Sequence, residues 1–356
     1  MTTYLLAGGG TAGHVNPLLA LADRIKLHEP DAEIIALGTS EGLESRLVPL
    51  RGYELATIAR LPFPRRINGY ALRFPAQYAK AVSSIRELIR SRDVDVVVGF
   101  GGYASAPAYD AAAKENIPYV IHEANALPGM ANRRGAKRAA GVAVAFEGTP
   151  LRNSVTVGMP LRAEIENLLT GFDKAEARKH FGLNASTATL LVTGGSLGAK
   201  RINETIEASR TVLSAAGIQV LHIMGNRSQL PEVQEPNYVR IAYRDRMDLA
   251  IAAADVAISR SGAATVSEFS AIGLPAIYVP YPVGNGEQAL NASAAVAAEA
   301  AILVKDADFT PDFVANTVVP LISNSKRIAT MSASTSLVAI SDGAERLYRL
   351  VAAQKR

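Results

Sequence analysis

Short, largely apolar runs rich in Val, Ile and Leu recur along the chain. Longer stretches lie between them, with apolar residues returning every three or four positions. In the first half the runs lie near residues 4–7, 33–37, 54–58, 94–98, 119–121 and 142–145. In the second half they lie near 189–193, 219–224, 239–241, 256–259, 276–279 and 301–304. Such runs read as buried strands, and periodic stretches such as 16–28 and 77–91 read as amphipathic helices. Strand and helix in alternation predict parallel sheets covered by helices on both faces, an α/β fold.

The two halves repeat one plan. Leu5-Leu6-Ala7 runs into Gly8-Gly9-Gly10-Thr11-Ala12-Gly13-His14, and Leu190-Leu191-Val192 runs into Gly194-Gly195-Ser196-Leu197-Gly198. Each is a strand, a glycine turn and a helix, so two doubly wound domains are expected. Glycine and proline interrupt the pattern at Val157-Gly158-Met159-Pro160, which places the division between 1–158 and 159–340. Ligands of open parallel sheets bind at the carboxyl ends of the strands, so two such domains are expected to face a cleft.

Composition narrows this reading. With 356 residues, the chain is too long for one ordinary core. It has no cysteine, which removes disulfides and thiolate chemistry and fits a reducing compartment. The strand-like run Thr3-Tyr4-Leu5-Leu6-Ala7 comes at once, so no secretory leader is expected. The apolar stretch 289–304 is interrupted by Asn291, Ser293 and Glu299, so a soluble or peripheral protein is expected. A net charge of +4 favours anionic partners such as nucleotides or acidic lipid. No dense basic tract interleaves with aromatics over a long region, and nucleic acid is not expected.

The candidate chemistry sits after the strands. Gly8, Gly10 and Gly13 match a phosphate-binding glycine pattern, but the second strand ends Ala36-Leu37-Gly38-Thr39 without the acid of a dinucleotide site. His14 reads equally as a polar helix-start residue or as a general base. Around Ser196 the chain spells G-x-S-x-G, yet the only later histidine, His222, lies in the next strand, which leaves no room for a hydrolase triad. Ser196 is better placed to donate to a phosphate. Polar groups follow two more strands, in His122-Glu123-Ala124-Asn125 and in Ser259-Arg260-Ser261-Gly262 leading to Glu268. The latter suits a second phosphate or a ribose, although Glu268 also reads as a helix-start charge. The turn Gly284-Asn285-Gly286-Glu287-Gln288 could meet sugar hydroxyls. Asp93-Val94-Asp95 precedes its strand and reads as solvated charge, so no protein-held metal is expected. From Arg60 to Lys80, Arg65, Arg66 and Arg73 mix with Phe63, Tyr70, Phe74 and Tyr78, which suits an anionic bilayer surface or a flexible basic loop.

Taken in order, these motifs resemble the MurG family of peptidoglycan N-acetylglucosaminyltransferases, over nearly the whole chain. The resemblance runs through Gly99-Phe100-Gly101-Gly102-Tyr103 and closes on Gly286-Glu287-Gln288-Ala289-Leu290-Asn291-Ala292. It implies the GT-B architecture, two Rossmann-like domains facing a cleft, with a final helix in 341–356 crossing back to the first. It implies inverting transfer of N-acetylglucosamine from UDP-N-acetylglucosamine to undecaprenyl-pyrophosphoryl-muramoyl-pentapeptide, without a cofactor, at the cytoplasmic face of the plasma membrane. By this similarity Thr11, Ala12 and Gly13 contact the donor side, Asn125 the sugar, and Arg162 and Ser196 the diphosphate. Arg244 lies where the family uses a backbone contact to uracil. Ala263, Ala264, Thr265, Val266, Ser267 and Glu268 take the nucleotide, with Glu268 on the ribose, and Gln288 meets the sugar. Phe63, Arg65, Arg66, Arg73 and Phe74 are expected to face the membrane. Three positions depart from the family's best-known pattern: Ala12 replaces a glycine, Ala124 a glutamine, and Glu287 precedes Gln288 where another member has two glutamines. His14 is the first candidate base and Glu123 the second. Rival readings are a transferase of the same architecture with another acceptor, a UDP-sugar epimerase, and a nucleotide-binding regulator without catalysis.

Overall fold

A computed structural model describes the chain from Met1 to Lys355, apart from Arg65, Ile67, Ser196, Tyr243, Arg244 and Asp245. Arg65, Ser196 and Arg244, all expected in functional roles, thus lie outside the described residues. The chain divides into two units, one of 1–162 with 342–356 and one of 163–341.

The first unit carries a seven-stranded sheet of β1 (Thr3–Ala7), β2 (Glu33–Gly38), β3 (Glu54–Thr57), β4 (Val96–Gly99), β5 (Tyr119–Glu123), β6 (Gly141–Val144) and β7 (Ser154–Thr156). Its order is β3-β2-β1-β4-β5-β6-β7 and every pairing is parallel. The strand order reverses between β1 and β4, where doubly wound sheets bind ligands. Alternate residues of β1 enter different cores, as the two-residue period of a strand requires. Tyr4 and Leu6 pack with Leu18, Leu21 and Ile25, while Leu5 and Ala7 pack with Ile35, Ile85 and Tyr109. The final helix, Gly343–Ala352, adds Leu347 and Val351 to the first of these cores. Gly343 allows this docking, because a Cβ there would lie 2.4 Å from the Met159 carbonyl oxygen.

The second unit repeats the plan with β8 (Thr189–Thr193), β9 (Gln219–Ile223), β10 (Val233–Glu235), β11 (Tyr238–Ile241), β12 (Val256–Ser259), β13 (Ala276–Tyr278) and β14 (Ala301–Leu303). The order is β10-β11-β9-β8-β12-β13-β14, reversing between β8 and β12. All of β8 is buried, which explains its unbroken apolar run. The short edge strand β10 pairs antiparallel with β11, against the wholly parallel sheet expected.

Three local expectations are corrected. The periodic stretch starting at 77 is part of a longer helix, Gly69–Ser91, whose N-cap Asn68 accepts from Ala71 N at 3.0 Å. Tyr70, Arg73 and Phe74 are therefore helical, with Pro75 inside the helix. His122 and Glu123 are the last residues of β5 instead of following it. Asp95 is not simply solvated, since its Oδ2 accepts from Thr3 N at 2.8 Å and ties β4 to β1.

Candidate functional site

In the first unit the chain leaves β1 at Ala7 and turns through Gly8, Gly9 and Gly10, the last at φ +88°. Helix α1 (Ala12–His28) follows, and the side chain of its N-cap Thr11 makes no capping bond, so the first-turn N–H groups lack a side-chain acceptor. His14 is the third helical residue. Its Nδ1 lies 3.0 Å from the Gly9 carbonyl oxygen and 3.4 Å from Thr11 Oγ1. A carbonyl can only accept, so Nδ1 carries the hydrogen and the neutral ring keeps its lone pair on Nε2. The loop after β4 passes beneath this ring. A Cβ on Gly101 would lie 3.1 Å from Nε2, and one on Gly102 would lie 2.6 Å from Gly9 O; both glycines have positive φ. Side chains at either position would dislodge the imidazole.

The acid absent from the end of β2 is replaced by one further on. Glu44 opens α2 (Glu44–Leu50) and folds back over the first glycine turn. Its Oε2 accepts from Gly10 N at 2.8 Å, and its Oε1 accepts from Thr39 N and Thr39 Oγ1, both at 2.8 Å. Burial pushes this carboxyl up, but the surrounding N–H and O–H donors prevail and hold it below the usual carboxylate range. No signal local to Glu44 marked it, because its key partner stands 34 positions earlier in the chain.

The end of β5 separates the residues that the motif His122-Glu123-Ala124-Asn125 had grouped. His122 is fully buried and donates through Nε2 to Gly158 O at 3.0 Å. Burial lowers its pKa, against the Gly158 contact and the Glu123 charge, which act to raise it. It serves the chain near 158 and is not presented at the strand ends. Glu123 is also buried. It accepts from Asn125 N at 2.9 Å, Gly129 N at 3.0 Å and Asn132 Nδ2 at 2.9 Å, with Asn125 Nδ2 at 3.4 Å. Donors thus engage both oxygens, so Glu123 clamps the loop 124–129.

In the second unit the glycine turn after β8 is shaped by backbone contacts. Gly198, at φ +82°, donates to Gly195 O at 2.9 Å, and a Cβ there would lie 2.2 Å from Met224 O. His222 lies beneath this junction, fully buried, between Tyr238 Oη at 3.1 Å and Asn203 Oδ1 at 3.0 Å. Asn203 in turn donates to Met224 O at 3.1 Å. Burial and the Arg240 charge lower the His222 pKa to about 3, so its ring is neutral.

After β12 the chain enters the helix Ala263–Ile272 through Gly262, without a side-chain cap. Ser261 Oγ, in the same turn, is buried and has no partner among the described residues. Glu268 lies in the second helical turn and is buried, so it is not the helix-start charge that was the alternative. Arg260 donates to Val279 O at 2.9 Å and Pro280 O at 3.0 Å, joining the ends of β12 and β13. Asn291 donates to Ser261 O at 3.2 Å and ties the helix Glu287–Asn291, which bears Gln288, to the same turn. Gln288 Oε1 accepts from Tyr281 N at 3.0 Å. Arg162 is half-buried at the end of the first unit's main segment. Among the described residues, no group of three or more His, Asp or Glu is placed to hold a metal.

Phe63, Tyr70, Phe74 and Tyr78 form a ladder of ring contacts with centroids 5.6 to 6.0 Å apart. Phe63, Arg66, Leu72 and Arg73 are exposed around it. Among the described residues, no helix is long and apolar enough to cross a membrane.

Comparison with known proteins agrees with this organisation. The N-terminal domain model of glycosyltransferase family 28 matches residues 4–144 and the C-terminal domain model matches 189–347. A curated UDP-N-acetylglucosamine--N-acetylmuramyl-(pentapeptide) pyrophosphoryl-undecaprenol N-acetylglucosamine transferase of Leifsonia xyli subsp. xyli is 56% identical over 351 residues, covering 99% of this chain and 98% of that one. Its namesake from Streptomyces coelicolor is 46% identical, covering 99% of both chains. The crystal structure of Acinetobacter baumannii MurG aligns with a TM-score of 0.77 at 25% identity, covering 99% of this chain and 100% of that one. The chain belongs to glycosyltransferase family 28, in its MurG branch.

Proposed function

We propose that the protein transfers N-acetylglucosamine from UDP-N-acetylglucosamine to the 4-hydroxyl of the muramyl sugar of undecaprenyl-pyrophosphoryl-muramoyl-pentapeptide. The observation that carries this reading is 56% identity across 99% of the chain to a relative named for that transfer. The reaction is a single displacement with inversion. The acceptor O4 gives its proton to His14 Nε2 and forms a bond to the anomeric carbon, while the bond from that carbon to the diphosphate breaks and UDP leaves. The Gly9 contact supports His14 as the base, since it keeps the Nε2 lone pair available.

The second unit supplies the nucleotide site in this reading. The uncapped start of the helix Ala263–Ile272 offers N–H groups and a positive dipole end to a phosphate. The Ser261 hydroxyl in the same turn, without a partner among the described residues, supports a ligand there. Ala263, Ala264, Thr265, Val266 and Ser267 line it, Glu268 takes the ribose and Gln288 the sugar. Thr11, Ala12, Gly13, Asn125 and Arg162 are assigned to donor sugar and diphosphate by the family resemblance. A UDP-release assay with and without the muramyl lipid tests the function. Release only with that lipid is expected; equal release without it would sink the proposal.

The face formed by exposed Phe63, Arg66, Leu72 and Arg73 with half-buried Phe74 is assigned to the anionic cytoplasmic surface of the plasma membrane. Each basic residue near such a surface contributes ~1 kcal/mol. Reversing Arg66 and Arg73 to Glu should therefore cut sedimentation with phosphatidylglycerol vesicles by at least roughly tenfold. Unchanged sedimentation would remove this face from the role.

A further inference from the structure

One peptide group joins two side chains that the proposed reaction leaves unconnected. The Gly9–Gly10 peptide presents its N–H to Glu44 Oε2 at 2.8 Å and its C=O to His14 Nδ1 at 3.0 Å. Glu44 is built into this position. Its carboxylate is fully buried, its other oxygen is held twice by Thr39, and no basic side chain among the described residues pairs with it. Three glycines make room for it. A Cβ on Gly9, Gly38 or Gly42 would lie 2.4, 2.5 or 2.1 Å from its atoms.

We propose that Glu44 is a positioning residue for the transfer, holding the Gly9–Gly10 peptide so that the Gly9 carbonyl keeps His14 in the Nδ1–H tautomer with Nε2 open. Two physical effects support this. Two consecutive glycines leave a peptide plane easy to turn over, and a charged acceptor on its N–H fixes the plane. Hydrogen bonds in a chain also polarise one another, so the carboxylate on the N–H makes the Gly9 oxygen a better acceptor for Nδ1–H. No proton travels this route; the Gly10 hydrogen stays on nitrogen throughout. The same contact takes the Gly10 N–H away from any donor phosphate. The inference rests on His14 being the base.

The test uses full-length enzyme with ¹⁵N-labelled histidine, the His14 signals being identified by their loss in His14→Ala. Wild type should show His14 as the Nδ1–H tautomer. Glu44→Gln removes the charge and leaves one acceptor oxygen, which can serve Gly10 or Thr39 but not both, and should give mixed tautomers. It should lower kcat by about tenfold, part of the roughly 100-fold or more that a base contributes, with KM for both substrates within about twofold. Glu44→Asp retains the charge but shortens the reach, and should show the same tautomer change. A Glu44→Gln enzyme with wild-type tautomer and wild-type kcat overturns the proposal. If neither variant folds, the wild-type Gly10 amide decides. A downfield, slowly exchanging proton is expected, and an upfield, fast-exchanging one overturns the proposal. Failure of the base reading looks different, because His14→Ala would then keep turnover whatever the tautomer in Glu44→Gln.

Discussion

The two glycine turns share a sequence plan but are held in opposite ways. The first, after β1, is held by a charged side chain that takes up its Gly10 N–H directly. The second, after β8, is held by the backbone, with Gly198 pressed against Met224 O and braced from below by the neutral chain His222, Asn203 and Met224 O. A glycine pattern fixes where a turn can approach closely, but not what its N–H groups are used for. In the first unit the carboxylate uses one of them, and the Gly9 carbonyl meets an imidazole. In the second unit no side-chain carboxylate among the described residues accepts from the turn, which suits contact with phosphate.

The largest test of this contrast is His14→Ala. If the first turn exists to present a base, kcat at saturating substrates should fall roughly 100- to 10,000-fold. Affinity for UDP, measured by calorimetry, should change by less than about twofold, because the imidazole is assigned to the proton and not to the nucleotide. Near wild-type turnover would dissolve the distinction between the two turns.

A smaller effect is expected at the second turn. Gly198→Ala places a Cβ 2.2 Å from Met224 O in a left-handed backbone. Gly195 has a similar φ of +80°, yet a Cβ there meets nothing within 4 Å. Strained backbone of this kind costs on the order of 1–3 kcal/mol, and Gly198→Ala adds a steric clash that Gly195→Ala lacks. Thermal unfolding of the second unit should therefore fall further in Gly198→Ala, with UDP affinity reduced about tenfold. Equal losses in the two variants would show that the Met224 junction is not what holds the turn.

Much of this is legible in the sequence, and what is not has a physical reason. Central strands such as β1 and β8 are buried on both faces, so they announce themselves as unbroken apolar runs. The edge strands β7 and β10, three residues each and partly exposed, carry no such run. The helix Gly69–Ser91 began earlier than read, because its first turns are polar, basic and aromatic and contain Pro75. The motif His122-Glu123-Ala124-Asn125 looked like one polar cluster, but a strand alternates its faces, so neighbouring His122 and Glu123 serve different partners. His14 was visible as a candidate, but its tautomer depends on a carbonyl whose direction only the folded loop defines. Glu44 was invisible for the same reason, since its three glycine neighbours lie in the first glycine turn, at the end of β2 and in the turn after it.

The brace beneath the second turn gives the smallest test. His222 is uncharged in the folded unit, with its pKa lowered to about 3 from an ordinary 6.5. A histidine with a depressed pKa binds its proton more readily in the unfolded chain. The stability it contributes is therefore fully present above about pH 6.5 and is lost progressively as pH falls toward about 3. Between pH 7 and pH 6 that loss is on the order of 1 kcal/mol or less. Substituting His222→Gln removes the titrating ring, so the urea midpoint of the second unit should drop less between pH 7 and pH 6 than in wild type. Glu44 in the first unit gives the opposite expectation. Its carboxyl is held below the usual range, so its contribution persists through this window and is lost only as pH falls through the acid range. A Glu44→Gln variant should thus keep the wild-type slope between pH 7 and pH 6. If His222→Gln also keeps that slope, the second turn is not braced by a neutral histidine, and the contrast between the two turns loses its lower half.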